Sequence, residues 1–460
     1  MEVEQTVIAD LAAVVGPNHV LTNADDRAGF ETDWTGRFSG PAAAVVRPGS
    51  TTEVAAVVEL CRRHRLAIVA QGGNTGLVGG GVPLHGEVVL SLRRLNHIGR
   101  VDVGARQITV GAGAILSDVR EAAEREGLAY AIDLGARGSA TIGGTIATNA
   151  GGINLIRYGG TREQLIGVEA VLGTGATISH LGGLEKDNTG YHLPGLLCGS
   201  EGTLGIVTSA RLRLVAHHRH RVTALIGFRS VEQAIAAVAT VRARLDSLEA
   251  AEIMLASGVQ LVADTFGLAP PLTGSPPVLL LLEVADHVDP TNEFAEIMDH
   301  VDGVIDVAVA GDAARRAALW RFREEHTLAL GTLGIPHKLD VTVPISRLGE
   351  FMSTVAGVVA DVAFDARTWM FGHIGDGNIH VNITGVDQHD ERCDEAVLLY
   401  VASLGGSISA EHGIGTAKAR WLHLNRSMAE IDAMRAIKRA LDPDGILNPH
   451  VLLTSNHPPT

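Results

Sequence analysis

This chain has little cysteine, few aromatic rings and no surplus of positive charge. Three cysteines, Cys61, Cys198 and Cys393, stand far apart among 460 residues. Their spacing excludes a disulfide framework and a cysteine zinc site, and points to a reducing compartment. Aromatic residues make up 4% of the chain, and the formal net charge is −15. Broad binding to nucleic acid or anionic membrane is therefore excluded, although a local basic pocket for an anion is not. No apolar run approaches the ~20 residues of a membrane span. The oiliest stretch, VLLLLEV at 278–284, follows Pro276-Pro277 and reads as a buried strand. The opening MEVEQTVIADLAAVVG has acids where a signal peptide needs Lys or Arg. A cytoplasmic protein with no nucleic-acid partner and no integral membrane segment is the expectation.

Glycine, by contrast, is abundant. There are 54, roughly 12% against an average near 7%. They cluster without a period, which suggests backbone held close to a large ligand. The 46% hydrophobic content supports a large core, and the length predicts two lobes. Ala42–Arg47 reads as a strand, Ser50 and Glu53 as a capping box, and Val54, Val57, Val58 and Cys61 as one helical face. Leu66–Ala70 is a second strand that runs into QGGNTGLVGGGVP. Short β-like segments then continue to about Val215, and the basic HHRHR at 217–221 marks a junction. Beyond it strands and helices alternate, as in a sheet covered by helices on one face. The expected fold class is α+β.

Three glycine regions, 72–81, 135–152 and 199–205, fall in the first lobe. No G-x-G-x-x-G fingerprint and no Gly-Lys-Ser/Thr occurs anywhere, which removes the Rossmann and P-loop readings. A glycine-rich loop after a strand still offers successive amides as an anion nest, here without side-chain charge. The segment DLGARGSATIGGTIATNAGG has little to pack as a core and could follow a flat ligand. Three such segments imply a long, extended one.

GGNTGLVGGGVP, GARGSATIGGTIATNAGG, DNTGYHLPGLLCGSEGTLGIVT and SAEHGIGTAKARWL occur in an order that resembles the FAD-linked oxidases of the vanillyl-alcohol oxidase/para-cresol methylhydroxylase type. Within these the chain is similar to the D-2-hydroxyacid dehydrogenases acting on D-2-hydroxyglutarate or D-lactate, with a glycolate oxidase-type subunit as a neighbouring possibility. The resemblance implies four parts. These are an N-terminal helical segment at 1–36, a PCMH-type FAD-binding domain at 37–216, a substrate domain at 217–420, and a tail at 421–460 returning to the FAD lobe. It implies FAD held by Gly72, Gly73, Asn74, Thr75, Gly76, Leu77, Gly79 and Gly80 in the first loop; no histidine is marked as a covalent anchor by its local sequence, so noncovalent FAD is the expectation. Gly135, Gly138, Ser139, Gly143, Gly144, Ala147, Asn149, Gly151 and Gly152 follow in the second. Glu201, Gly202, Gly205, Ile206 and Asn448 complete the set. A carboxylate substrate would meet Arg323, Thr327 and Lys338. Arg323 and Thr327 are four apart on one expected helix. His337 stands where relatives carry an aromatic, which leaves the substrate open.

FGHIGDGNIHVNITG, 371–385, places His373 and His380 on either side of a Gly-Asp-Gly turn. Neutral imidazoles on paired strands suit a divalent metal such as zinc, and Glu411 in SAEHGIG is the candidate third ligand. His412, beside it, is the candidate base, with an ordinary pKa near ~6.5. Asn382, two residues after His380, shares its strand face and could hydrogen-bond substrate. Asp376 reads as turn chemistry. In a rival reading, a metal-dependent hydrolase, it would be a ligand. A hairpin with incidental histidines is a third reading, and a flavin fold without chemistry a fourth. The expected partners are a small 2-hydroxyacid and an electron acceptor of the electron-transfer flavoprotein, quinone or cytochrome kind, with a homodimer possible.

Overall fold

The structure, a computed structural model, describes residues 5–453. It divides into two compact units. Unit 1 comprises Met1–Gly152, Gly159–His217 and Glu411–Thr460; unit 2 comprises Ile153–Tyr158 and His218–Ala410. The second unit thus ends ten residues before 420, so that Glu411 and His412 fall in unit 1. It also takes in six residues from the middle of the first lobe. Arg157 explains the excursion: its guanidinium donates to the carbonyls of Ser247 and Ala285 and to the Glu249 carboxylate.

Unit 1 holds two four-stranded sheets. In the first, Ala44–Val46 and Ile68–Gln71 both pair parallel with Val88–Ser91. The crossover helix Thr51–Arg63 buries Val54, Val57, Val58, Leu60 and Cys61. Its cap departs from the expected box. Ser50 accepts from the Glu53 amide, but the Glu53 carboxylate reaches back to the amide of Gly49 instead. The second sheet is antiparallel, in the order Gln107–Gly111, Ile206–Arg213, Leu165–Val171, Thr177–His180.

Unit 2 is built on one seven-stranded sheet. Its order is Asp306–Ala310, His220–Phe228, Val278–Asp286, Leu248–Leu255, Arg367–His373, Asn378–Thr384, His337–Thr342. Every pairing is antiparallel. Helices cover both faces, not one. Val259 and Val262 of the helix Ala256–Phe266, with Trp320 and Phe322 of Ala313–Glu324, pack on Leu225, Met254, Leu281 and Phe371. On the opposite face His337 meets Asp394 of the helix Arg392–Ser403. Burial on both sides accounts for the unbroken apolar run at 278–282.

Candidate functional site

In unit 1 the first glycine loop leaves the strand Ile68–Gln71 and passes against residues 139–141. A Cβ on Gly73 would stand 2.0 Å from the Ser139 carbonyl oxygen, and one on Gly72 2.1 Å from the Thr141 hydroxyl. Only glycine allows that approach. The charge that the loop itself lacks is supplied by Arg93, whose guanidinium donates to the carbonyls of Gly72 and Gly73. Sequence reading missed Arg93 because it lies twenty residues further on. Around Gly76, Gly135 and Gly138 a Cβ would meet nothing within 4 Å.

The second segment differs from its expectation. Residues 142–148 form a helix whose Ile142 and Ile146 are fully buried in the core of unit 1. Their spacing of four places both on one face, so the segment does pack. Asn149 ends it in the left-handed conformation, φ 51°. The turn at Glu201 and Gly202 is tied to Asn448, whose side chain donates to the Glu201 carbonyl at 2.7 Å and to that of Gly80 at 3.3 Å. Asn448 thereby joins two of the three glycine regions. Among the described residues its own amide oxygen and the Thr141 hydroxyl are buried without a partner. Orphaned polar atoms beside backbone that admits no side chain fit an extended polar ligand such as FAD.

In unit 2 the turn after His373 is fixed by its own chemistry. The Asp376 carboxylate accepts the Asn378 N–H at 3.0 Å, and Arg242 holds the Gly375 carbonyl at 2.7 Å. Asp376 therefore closes the turn, as the sequence suggested, and this weakens the hydrolase reading. Gly377 has φ 83°, and a Cβ there would strike the Val343 carbonyl at 2.3 Å.

The flanking strands bring the histidines together, with ring centroids 5.4 Å apart. Each ring is held through Nδ1 by a buried carboxylate. His373 Nδ1 lies 2.5 Å from Glu252, and His380 Nδ1 lies 3.4 Å from Asp340. An ion would then be met through Nε2, the arrangement in which a carboxylate fixes tautomer and orientation. Asn378 donates to Asp340 at 2.7 Å and keeps that carboxylate in place. Burial pushes the Glu252 carboxyl up, but the charges of His373 and Arg323 outweigh this and hold it below the ordinary value.

Register puts Lys338 opposite Asn382 and Asp340 opposite His380, so the four line one face of the sheet. Among the described residues the Asn382 NH2 is buried without a partner. Burial lowers the Lys338 ammonium to about 8. Arg323, which the resemblance makes a carboxylate binder, is already partly engaged. Its Nε donates to Glu252 at 2.6 Å, and its guanidinium lies 4.7 Å from the Phe371 ring centre. The single helix expected through Thr327 is two, Ala313–Glu324 and His326–Gly331, parted at Glu325. His337 lies on the opposite face from Lys338, bound by Asp394 and the Asp387 carbonyl. Glu411 and His412 sit in a loop of unit 1, where the Glu411 carboxylate accepts the Gly152 N–H at 2.8 Å.

Comparison with known proteins agrees with the architecture. Residues 42–180 match the FAD binding domain, and residues 217–452 match the C-terminal domain of FAD linked oxidases. A D-2-hydroxyglutarate dehydrogenase of Xanthomonas citri pv. viticola is 38% identical, covering 98% of each chain. The mitochondrial D-2-hydroxyglutarate dehydrogenase of Danio rerio is 33% identical over 96% of this chain and 84% of its own. Among solved structures, p-cresol methylhydroxylase with substrate bound superposes with a TM-score of 0.80 at 16% identity, covering 97% of each chain. That likeness carries the fold alone. Glycine-lined backbone, the match over both parts and the relatives at full length place this chain in the FAD-linked oxidase family, as an FAD-dependent oxidoreductase.

Proposed function

We propose that the chain oxidises a D-2-hydroxyacid to the 2-oxoacid, with D-2-hydroxyglutarate the preferred substrate and D-lactate next. The observation that carries this is the pair of imidazoles, each fixed by a buried carboxylate, on the sheet face that also bears Lys338 and Asn382. The near full-length relatives named for D-2-hydroxyglutarate support the substrate.

His373, His380 and Glu411 would hold a divalent metal, zinc, which would supply a Lewis acid toward the α-hydroxyl and α-carboxylate. Lys338 binds the far carboxylate as a point charge. Asn382 donates its amide to the substrate, and Thr327 its hydroxyl. Arg323, tied to Glu252 through Nε, offers a carboxylate its terminal nitrogens. His412 takes the hydroxyl proton. The glycine-lined cradle of unit 1 would hold FAD noncovalently, and the flavin would supply the acceptor for the hydride from C2. Reoxidation calls for an electron-transfer flavoprotein, a quinone or a cytochrome. Among the described residues no helix is long and apolar enough to cross a membrane.

The test is the visible spectrum of pure protein under anaerobic conditions. A flavin spectrum that bleaches on addition of D-2-hydroxyglutarate, and not of the L form, is expected. A colourless protein, or bleaching by the L series instead, defeats the reading.

A further inference from the structure

The loop carrying Glu411 and His412 continues through Gly413-Ile414-Gly415, where both glycines take positive φ, 84° and 54°. Successive amides in such a conformation form a concavity for an anion. Here a side chain fills it. The amide of Ile414 donates to one oxygen of Glu201 at 2.9 Å, and that of Gly415 to the other at 2.7 Å. Glu201 is itself anchored at its backbone. Its N–H donates to the Ala147 carbonyl at 2.8 Å, and its carbonyl accepts from the Asn448 side chain at 2.7 Å. The bond to Ala147 ties the turn to the end of the helix Ile142–Thr148. Space is matched to the clasp as well: a Cβ on Gly413 would lie 2.9 Å from the Glu201 carboxyl carbon. The next turn of the loop is fixed too, because Thr416 and Ala417 donate their amides to the Val78 carbonyl.

We propose that Glu201 is a positioning residue that clasps the 413–415 amides and so sets the loop bearing Glu411 and His412, rather than a group that binds the flavin. A carboxylate suits this task because both of its oxygens accept, and N–H bonds to a charged acceptor are about twice as strong as neutral ones. An amide in its place has one acceptor and turns an NH2 toward an N–H. The consequence for the reaction rests on the reading of His412 as the base; the clasp itself does not.

The experiment uses Glu201→Gln in the FAD-loaded enzyme, with amide hydrogen exchange over residues 411–417 and anaerobic flavin reduction by D-2-hydroxyglutarate measured side by side. Exchange at Ile414 and Gly415 at least tenfold faster, with reduction at least tenfold slower at full FAD occupancy, is the expected result. Unchanged exchange overturns the clasp. So does loss of FAD with a normal rate in the loaded fraction, which would make Glu201 a flavin ligand. Gly413→Ala, which pushes the loop from an intact Glu201, should reproduce both effects if Glu201→Gln does not fold. His412→Ala is run in parallel. Normal reduction there, with fast exchange in Glu201→Gln, overturns the base and leaves the clasp standing.

Discussion

Burial lowers the Lys338 ammonium from 10.5 to about 8, on the edge strand opposite Asn382. The sign of the effect depends on what the lysine faces. Without substrate, the folded chain holds fewer protons than the unfolded one between these two values. Stability from this residue therefore rises as pH climbs through that window, and its full cost is present below it. With a substrate carboxylate the order reverses, because binding needs the charged form. KM for D-2-hydroxyglutarate should be flat up to about pH 7.5 and rise by about tenfold per pH unit well above 8, with kcat little changed. Steady-state KM measured across that range checks it. Lys338→Met should raise KM at neutral pH and abolish the alkaline rise; a rise that persists in the variant removes Lys338 from the substrate site.

Among the elements, the first glycine loop is sensitive to a single methyl group. Gly73→Ala brings a Cβ against the backbone of Ser139 and Ala140, so two of the cradle's segments must move apart. FAD affinity should fall at least tenfold, read by flavin fluorescence on dilution, while the far-ultraviolet circular dichroism stays unchanged; FAD bound as tightly as in the parent would remove this loop from the cradle. That loop, the crossover helix and the hairpin around Gly375–Gly377 were all legible, because each is specified by neighbours a few residues apart. The carboxylates that orient the histidines were not. Glu252 meets His373 across 121 positions of sequence, and nothing local marks an acid in a buried strand as a partner. A separation of 71 positions likewise hid the tie on Arg323, a carboxylate binder by resemblance, whose Nε is taken by Glu252. In the 135–152 segment small residues masked a true helix, because two buried isoleucines suffice to pack a helix of seven residues.

For the whole molecule, the division of labour between the units decides how the two proposed ligands depend on each other. The glycine-lined backbone, Arg93, Thr141 and Asn448 all belong to unit 1. His373, His380, Glu252 and Asp340 all belong to unit 2, and each histidine is oriented by a partner from its own sheet. Of the three proposed metal ligands Glu411 belongs to unit 1, where it accepts the Gly152 N–H, while the two histidines meet Glu252 and Asp340 within unit 2. Removing a metal from the imidazoles should therefore leave the flavin where it is. Dialysis against a chelator is expected to strip the ion, read by elemental analysis, and to keep the visible spectrum and the protein-to-flavin ratio unchanged. Bleaching by D-2-hydroxyglutarate should then slow by at least a hundredfold, since a Lewis acid lowers a bound hydroxyl's pKa by several units. Zinc added back should restore it. If the chelated enzyme bleaches at the original rate, the histidines hold no metal needed for the reaction. If the flavin leaves with the ion, the two proposed ligands depend on each other, and the Glu411–Gly152 bond is the first place to look.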